Sequence, residues 1–150
     1  MAMSTEDASR LIFEALAHGV AGEGDTAISK LNSVCEDADG PRMYGVCCAL
    51  AEAGTHMLRK LYGDQAPKTP ADGMFVFQEL VPGATLDDPA KTFSMRFLTA
   101  WANGDTDTTN ALFSAATRAS NVQYIDSVCA LFADVIGITR LALDEQKKTT

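Results

Sequence analysis

Six segments of the sequence repeat their apolar residues every three or four positions, and this spacing restricts the fold more than any other feature. The first segment carries Leu11, Ile12 and Leu16, and the last carries Val128 and Leu131. Residues at this spacing lie on one face of an α-helix. Gly, Pro, Asp and Asn residues, which start and stop helices, stand between the segments. The sequence therefore predicts an all-α fold of about six helices.

The predicted helix starts depend on capping residues. We expect Ser4 to cap the first helix, Asp25 the second and Asp105 the fifth, because short polar side chains accept hydrogen bonds from the free N–H groups of the first turn. Pro41 and Pro89 suit the first positions of the third and fourth helices. These signals place the six helices along the chain.

The sixth predicted helix carries two apolar stripes. Members of the first stripe are Val122, Ile125, Cys129, Phe132, Ile136 and Leu143. Members of the second stripe are Val128, Leu131, Val135, Ile138 and Ala142. Two stripes leave only a narrow polar edge, so we expect this helix to be central and packed on more than one side.

Short matches between the two halves of the chain indicate an internal repeat. Gly24-Asp25-Thr26 matches Gly104-Asp105-Thr106 at an offset of 80 residues. The segment 46–50 aligns with 127–131 at an offset of 81. Three successive helices thus recur in the same order, which favours a duplication. Two similar helical hairpins could also arise from shared caps and stops, and this alternative stays open.

The domain prediction follows from that repeat. It places a single helical domain over residues 1–150, with repeat-like halves at 4–62 and 87–146. A connector rich in Pro and Gly, residues 63–86, joins the halves. One domain is the natural number for a chain of 150 residues.

The charge balance disfavours several classes of partner. The chain has 12 Lys and Arg against 20 Asp and Glu, a net charge of −8. Nucleic-acid binding and attraction to an anionic membrane both depend on clustered basic residues, which this acidic chain lacks. No apolar stretch reaches the length of a membrane-spanning helix, and the segment 1–10 is polar, unlike a signal peptide. We therefore predict a cytoplasmic protein that binds neither nucleic acid nor membrane.

One stripe of polar residues could hold a metal ion. Cys48, Glu52 and His56 follow one another at i, i+4 and i+8 on the third predicted helix, and all three side chains are metal ligands. A solvated Glu–His pair explains the stripe without a metal, and we favour that interpretation. Cys48 and His56 are about 12 Å apart along the helix, too far for direct proton transfer. The sequence therefore predicts no catalytic residue and no cofactor, and the chain is more probably not an enzyme.

The four cysteines, Cys35, Cys47, Cys48 and Cys129, form no CxxC pair. A disulfide framework is typical of short secreted chains. We expect these cysteines to be reduced and mostly buried, since a free Cys behaves as a small hydrophobic residue.

An apolar segment inside the connector is the predicted site for a protein partner. Its candidate residues are Met74, Phe75, Phe77, Leu80 and Val81. If the segment packs over the helices, it closes the core. If it is partly exposed, it forms an apolar patch that marks a partner or an apolar ligand.

The leading functional hypothesis is a small non-enzymatic interaction, adaptor or regulatory module that binds a protein partner or a second copy of itself as a homodimer. The alternative is a small-molecule-binding protein or enzyme with a pocket between the two helical halves, suited to a small apolar ligand. The candidate lining residues of that pocket are Met43, Tyr44, Phe97 and Trp101.

The stretch 97–105, with Leu112 and Phe113 after it, resembles the opening helices of the nuclear-transport-factor-like cone fold. That family continues into a curved antiparallel sheet. This sequence continues into the pattern of a long helix instead, so we assign it to no family.

Overall fold

The computed structural model describes residues 3–36, 38–63 and 88–149. Its helices are α1 (Thr5–Val20), α2 (Gly24–Cys35), α3 (Gly40–Tyr62), α4 (Pro89–Ala102), α5 (Thr106–Arg118) and α6 (Asn121–Thr149). No strand occurs in these three ranges. The prediction of an all-α fold with six helices is confirmed. Most of the predicted connector lies outside the described residues.

The capping residues explain where most helices begin. Ser4 Oγ accepts a hydrogen bond from Asp7 N at 3.1 Å, which fixes the first turn of α1. An Asp105 oxygen accepts one from Thr108 N at 3.1 Å at the start of α5. Such a cap contributes about 1 kcal/mol to helix stability. These two predicted caps are confirmed.

The predicted cap of α2 is wrong. The helix begins at Gly24, and Glu23 occupies the cap position without a side-chain hydrogen bond. Asp25 lies inside the first turn, where its charge favours the positive end of the helix dipole. The turn before α2 is the physical reason. Gly22 takes a φ of +86°, and Glu23 N donates to His18 O at 2.8 Å, so the chain enters α2 directly after the turn.

The core is centred on α3 and α6, which run side by side in the same direction. An added Cβ at Gly54 would lie 3.1 Å from Val135 Cγ2, and further along both helices Leu58 and Ile138 share one apolar cluster. Helix α6 also packs against α1, α4 and α5. Leu50 and Leu131 are fully buried between these elements. The central position expected for the last helix agrees with this packing.

Only one of the two predicted stripes of α6 is buried throughout its first half. Val128, Leu131 and Val135 are buried, whereas Val122 and Ile125 are 68% and 58% exposed. Cys129 is also exposed. The first turns of α6 are covered on the opposite side, where the Tyr124 ring packs edge-on against Phe113. The prediction of burial is therefore wrong for the first part of the Val122 stripe.

Two arginines fix the ends of α1 on different helices. Arg42 of α3 donates to Met3 O at 2.7 Å and to Ser4 O at 3.3 Å. Arg140 of α6 donates to Gly19 O at 3.0 Å and to Val20 O at 3.2 Å. The second pair of bonds satisfies carbonyls that a helix end leaves without partners. Helix α1 therefore crosses the bundle from the start of α3 to the second half of α6.

Candidate functional site

A cleft of about 740 Å³ opens between the first halves of α1 and α3, and the end of α2 closes one side of it. We call it the α1–α3 cleft. Its apolar lining consists of Met3, Ala8, Ile12, Val34, Val46 and Ala49, among others. Its polar lining consists of Thr5, Ser9, Ser33, Asp39 and Arg42. The volume and the mainly apolar lining are those of a small-molecule site.

The sequence analysis missed this cleft. Its walls are made of short side chains at helical spacing, such as Ala8, Gly45 and Ala49, which also suit ordinary close helix packing. The available signal was the pair Gly45 and Ala49 at i and i+4 on α3, which leaves one face of that helix without bulk. Only the crossing of α1 over α3 turns that face into a cleft.

A second surface feature lies on the first two turns of α6. Val122 and Ile125 are spaced by three residues and Cys129 follows four later, so the three side chains share one face of the helix. All three are exposed. We call this set the α6 stripe. Adjacent exposed apolar side chains are a common feature of protein contact sites.

The residues predicted to line a pocket between the halves lie at a packed interface. Phe97 is fully buried and Met43 is 6% exposed. The Tyr44 and Phe97 rings contact each other edge-on with centroids 6.3 Å apart, and Tyr44 Oη lies 2.8 Å from Thr109 Oγ1. Trp101 Nε1 donates to Glu52 Oε2 at 2.8 Å. The predicted pocket at these positions stays a prediction, and the α1–α3 cleft lies elsewhere.

The candidate metal stripe is divided among other contacts. Glu52 accepts the hydrogen bond from the Trp101 indole. The Cys48 thiol interacts with the Tyr44 hydroxyl, which favours the thiolate, although burial outweighs this and raises the pKa of Cys48. Within the three described ranges, no group of three His, Cys, Asp or Glu side chains is placed to hold a metal ion.

The candidate partner-binding residues Met74, Phe75, Phe77, Leu80 and Val81 lie outside the described residues. Their assignment stays a prediction. No helix in the described part of the chain has the length and apolar character needed to cross a membrane.

All four cysteines are free thiols with different exposures. Cys47 is buried, Cys35 and Cys48 are half-buried, and Cys129 is exposed. The expectation of mostly buried cysteines is wrong for Cys129. Burial, with smaller contributions from neighbouring thiols, raises the pKa of Cys35 to about 11 and that of Cys47 to about 12. Both thiols are therefore protonated at neutral pH, and thiol chemistry there is suppressed.

These raised values predict a loss of stability in alkali. The ordinary thiol pKa is 9.0, so above that pH the unfolded chain releases protons that folded Cys35 and Cys47 retain. The free energy of unfolding should be constant through neutral pH. It should then fall by about 1.4 kcal/mol per pH unit for each thiol until the pH passes that thiol's folded pKa. Urea denaturation at a series of pH values measures this slope.

A variant with Cys35→Ala and Cys47→Ala serves as the control. It should show a shallower alkaline slope, since only other groups still titrate, among them Tyr44 and Tyr124, whose pKa values burial also raises. An unchanged slope in this variant would contradict the assignment to the two thiols.

Comparisons with protein-family models, with curated proteins and with solved structures found no match for this chain.

Proposed function

We propose that the chain is a non-enzymatic interaction module that binds protein through the α6 stripe, with a second copy of itself as the partner. The exposure of Val122 and Ile125, 68% and 58%, carries this proposal. Covering a large apolar side chain at an interface is favourable by about 25 cal/mol per Å² of area removed from water. β-Branched residues on a helix also lose little side-chain entropy when they are covered.

A twofold pairing suits a stripe on one rigid helix. In such a pair the same patch of each copy meets itself, so Val122 of one copy can pack beside Ile125 of the other. Cys129 lies on the same helical face and would approach its counterpart in the second copy. The acidic composition of the chain opposes self-association through repulsion, so the contact should strengthen as salt concentration rises.

Sedimentation equilibrium over a concentration series tests the proposal. The wild-type chain should form a dimer that dissociates on dilution, and Ile125→Asp should be monomeric at the same concentrations. A bismaleimide cross-linker should join two copies through Cys129 in the wild-type chain and not in Ile125→Asp.

The matched control is Ile28→Asp on α2, which places the same charge at another exposed isoleucine, 42% accessible. It should leave the dimer intact. A chain that stays monomeric at the highest concentration tested, or one whose dimer is lost equally with Ile28→Asp, would overturn pairing through the α6 stripe.

We also infer that the two halves descend from one three-helix unit. The turns between the first two helices of each half support this, since Gly22 and Gly104 both have positive φ values, +86° and +74°. The residue after each glycine donates to a carbonyl five residues earlier at 2.8 Å. This geometry pairs Gly104 with Gly22, two residues before the Gly24 of the sequence match.

Buried positions support the same inference. Ala15 and Phe97 are both buried at an offset of 82 residues, and Leu50 and Leu131 at an offset of 81. The single domain and the cytoplasmic localisation predicted from the sequence stay predictions.

A second candidate function, the binding of a small molecule, is favoured by the α1–α3 cleft. Its volume of about 740 Å³ lies within the range of ligand sites in other proteins. This site differs in position from the pocket predicted from the sequence. The two candidate functions use different surfaces, so one experiment does not decide both.

A further inference from the structure

We propose that the α1–α3 cleft binds a linear amphiphile, an alkyl chain ending in a carboxylate, with the carboxylate placed at Arg42. This proposal rests on the second candidate function and specifies its ligand class. Three observations support it: the apolar lining, the open space on the α3 wall, and a guanidinium that pairs with no described acid.

The lining suits an alkyl chain. Ala8 and Ile12 come from α1, Val34 from α2, and Val46 and Ala49 from α3. A chain of methylene groups seated on these side chains would gain about 0.8 kcal/mol for each group removed from water. A bulky rigid ligand would need deeper relief than these short side chains provide.

The α3 wall is open beside Gly45. A Cβ added at this glycine would meet no atom within 4 Å. At the other side of the bundle, α4 is held against α6 by Ser94 Oγ and Lys91 Nζ, which donate to Asp134 at 2.6 and 3.0 Å. Ser9, which lines the cleft on α1, lies 82 residues before Lys91. The α1 wall thus has a short hydroxyl where α4 has a long cation that reaches across to α6.

Arg42 supplies the charge that selects the head group. Its guanidinium donates to two neutral carbonyls, Met3 O and Ser4 O. The ion pairs found among the described residues join other groups and do not include Arg42. Asp39, the acid that lines the cleft, is exposed and accepts from the Arg42 backbone N as the cap of α3. A ligand carboxylate can therefore form a charge-assisted hydrogen bond with the guanidinium.

Titration of the full chain with three ten-carbon probes tests the proposal by amide NMR. The probes are decanoate, decanol and decyltrimethylammonium, each kept below its micelle concentration. Decanoate should shift the amide signals of Thr5, Ser9 and Gly45 in a saturable way. We expect decanol to bind the same residues about tenfold more weakly, because it lacks the charge-assisted bond. The cationic probe should bind more weakly still.

Two substitutions separate the chain site from the head-group site. Gly45→Leu fills the open wall and should weaken decanoate binding at least tenfold, while the free energy of unfolding holds or rises as a helical glycine is lost. The matched control is Gly137→Leu on α6, where an added Cβ also meets no atom within 4 Å. It should leave binding unchanged. Arg42→Gln should weaken decanoate binding about tenfold and leave decanol binding unchanged.

The outcomes distinguish the ligand class from the site itself. Equal affinity for decanoate and decanol at the cleft, in the wild-type chain and in Arg42→Gln, would overturn the carboxylate assignment and keep the cleft as an apolar site. If none of the probes shifts the cleft signals, or if Gly137→Leu weakens binding as much as Gly45→Leu, the cleft is not the binding site and both statements fail.

Discussion

Replacement of Phe97 by alanine is expected to lower the free energy of unfolding by about 3–5 kcal/mol. The side chain is fully buried. Its ring packs edge-on against Tyr44 and lies 5.4 Å, centroid to centroid, from the Phe93 ring. The substitution removes the apolar contacts of the ring and leaves a cavity that the two rigid neighbouring helices, α3 and α6, cannot close.

Urea denaturation followed by far-ultraviolet circular dichroism measures this loss. Phe13→Ala is the matched control, because it makes the same chemical change at a ring that is 58% exposed. Its effect should stay within about 0.5 kcal/mol. If the two variants lose equal stability, Phe97 is not part of a packed core and the arrangement of α4 against α3 is wrong.

Removal of the Asp134 carboxylate should cost about 2 kcal/mol of unfolding free energy. Ser94 Oγ donates to this carboxylate at 2.6 Å and is fully buried, so Asp134→Ala leaves a buried hydroxyl without its acceptor. A hydrogen bond to a charged acceptor is worth more than one between neutral groups. Lys91 also pairs with Asp134 at 3.0 Å, but its side chain is 46% exposed. We expect Lys91→Ala to cost less than about 1 kcal/mol.

A double-mutant cycle assigns the Asp134 effect to its partner. In the Asp134→Ala background, the further change Ser94→Ala should cost little or restore stability, because it removes the unsatisfied hydroxyl. Thermal and urea denaturation of the four chains give the coupling energy. Additive losses from the two substitutions would show that the carboxylate and the hydroxyl do not act together.

Much of the fold was predictable from local signals. Ser4 and Asp105 cap helices where the sequence places them, since a side-chain cap depends only on residues within one turn. The start of α2 was not predictable from Asp25 alone, because it depends on the preceding turn at Gly22. Local chemistry locates helices to within a turn, and the backbone path between them decides the exact start.

Burial was harder to predict than helix position. The apolar spacing of α6 is the same for Val122 and Ile125 as for Leu131 and Val135, yet only the second pair is buried. Periodicity identifies a face and contains no information about whether another helix covers it. The α1–α3 cleft escaped prediction for a similar reason, since Gly45 and Ala49 form a wall only after α1 crosses α3.

The attachment of α1 has a consequence for synthesis on the ribosome. Arg140, which holds the carboxyl end of α1, is translated 121 residues after its acceptor Gly19. Chains grow at about 5–20 residues per second, so the nascent amino-terminal hairpin waits several seconds for this clamp. During that interval its apolar face is open to chaperones, and the hairpin can finish docking only when the end of the chain leaves the exit tunnel.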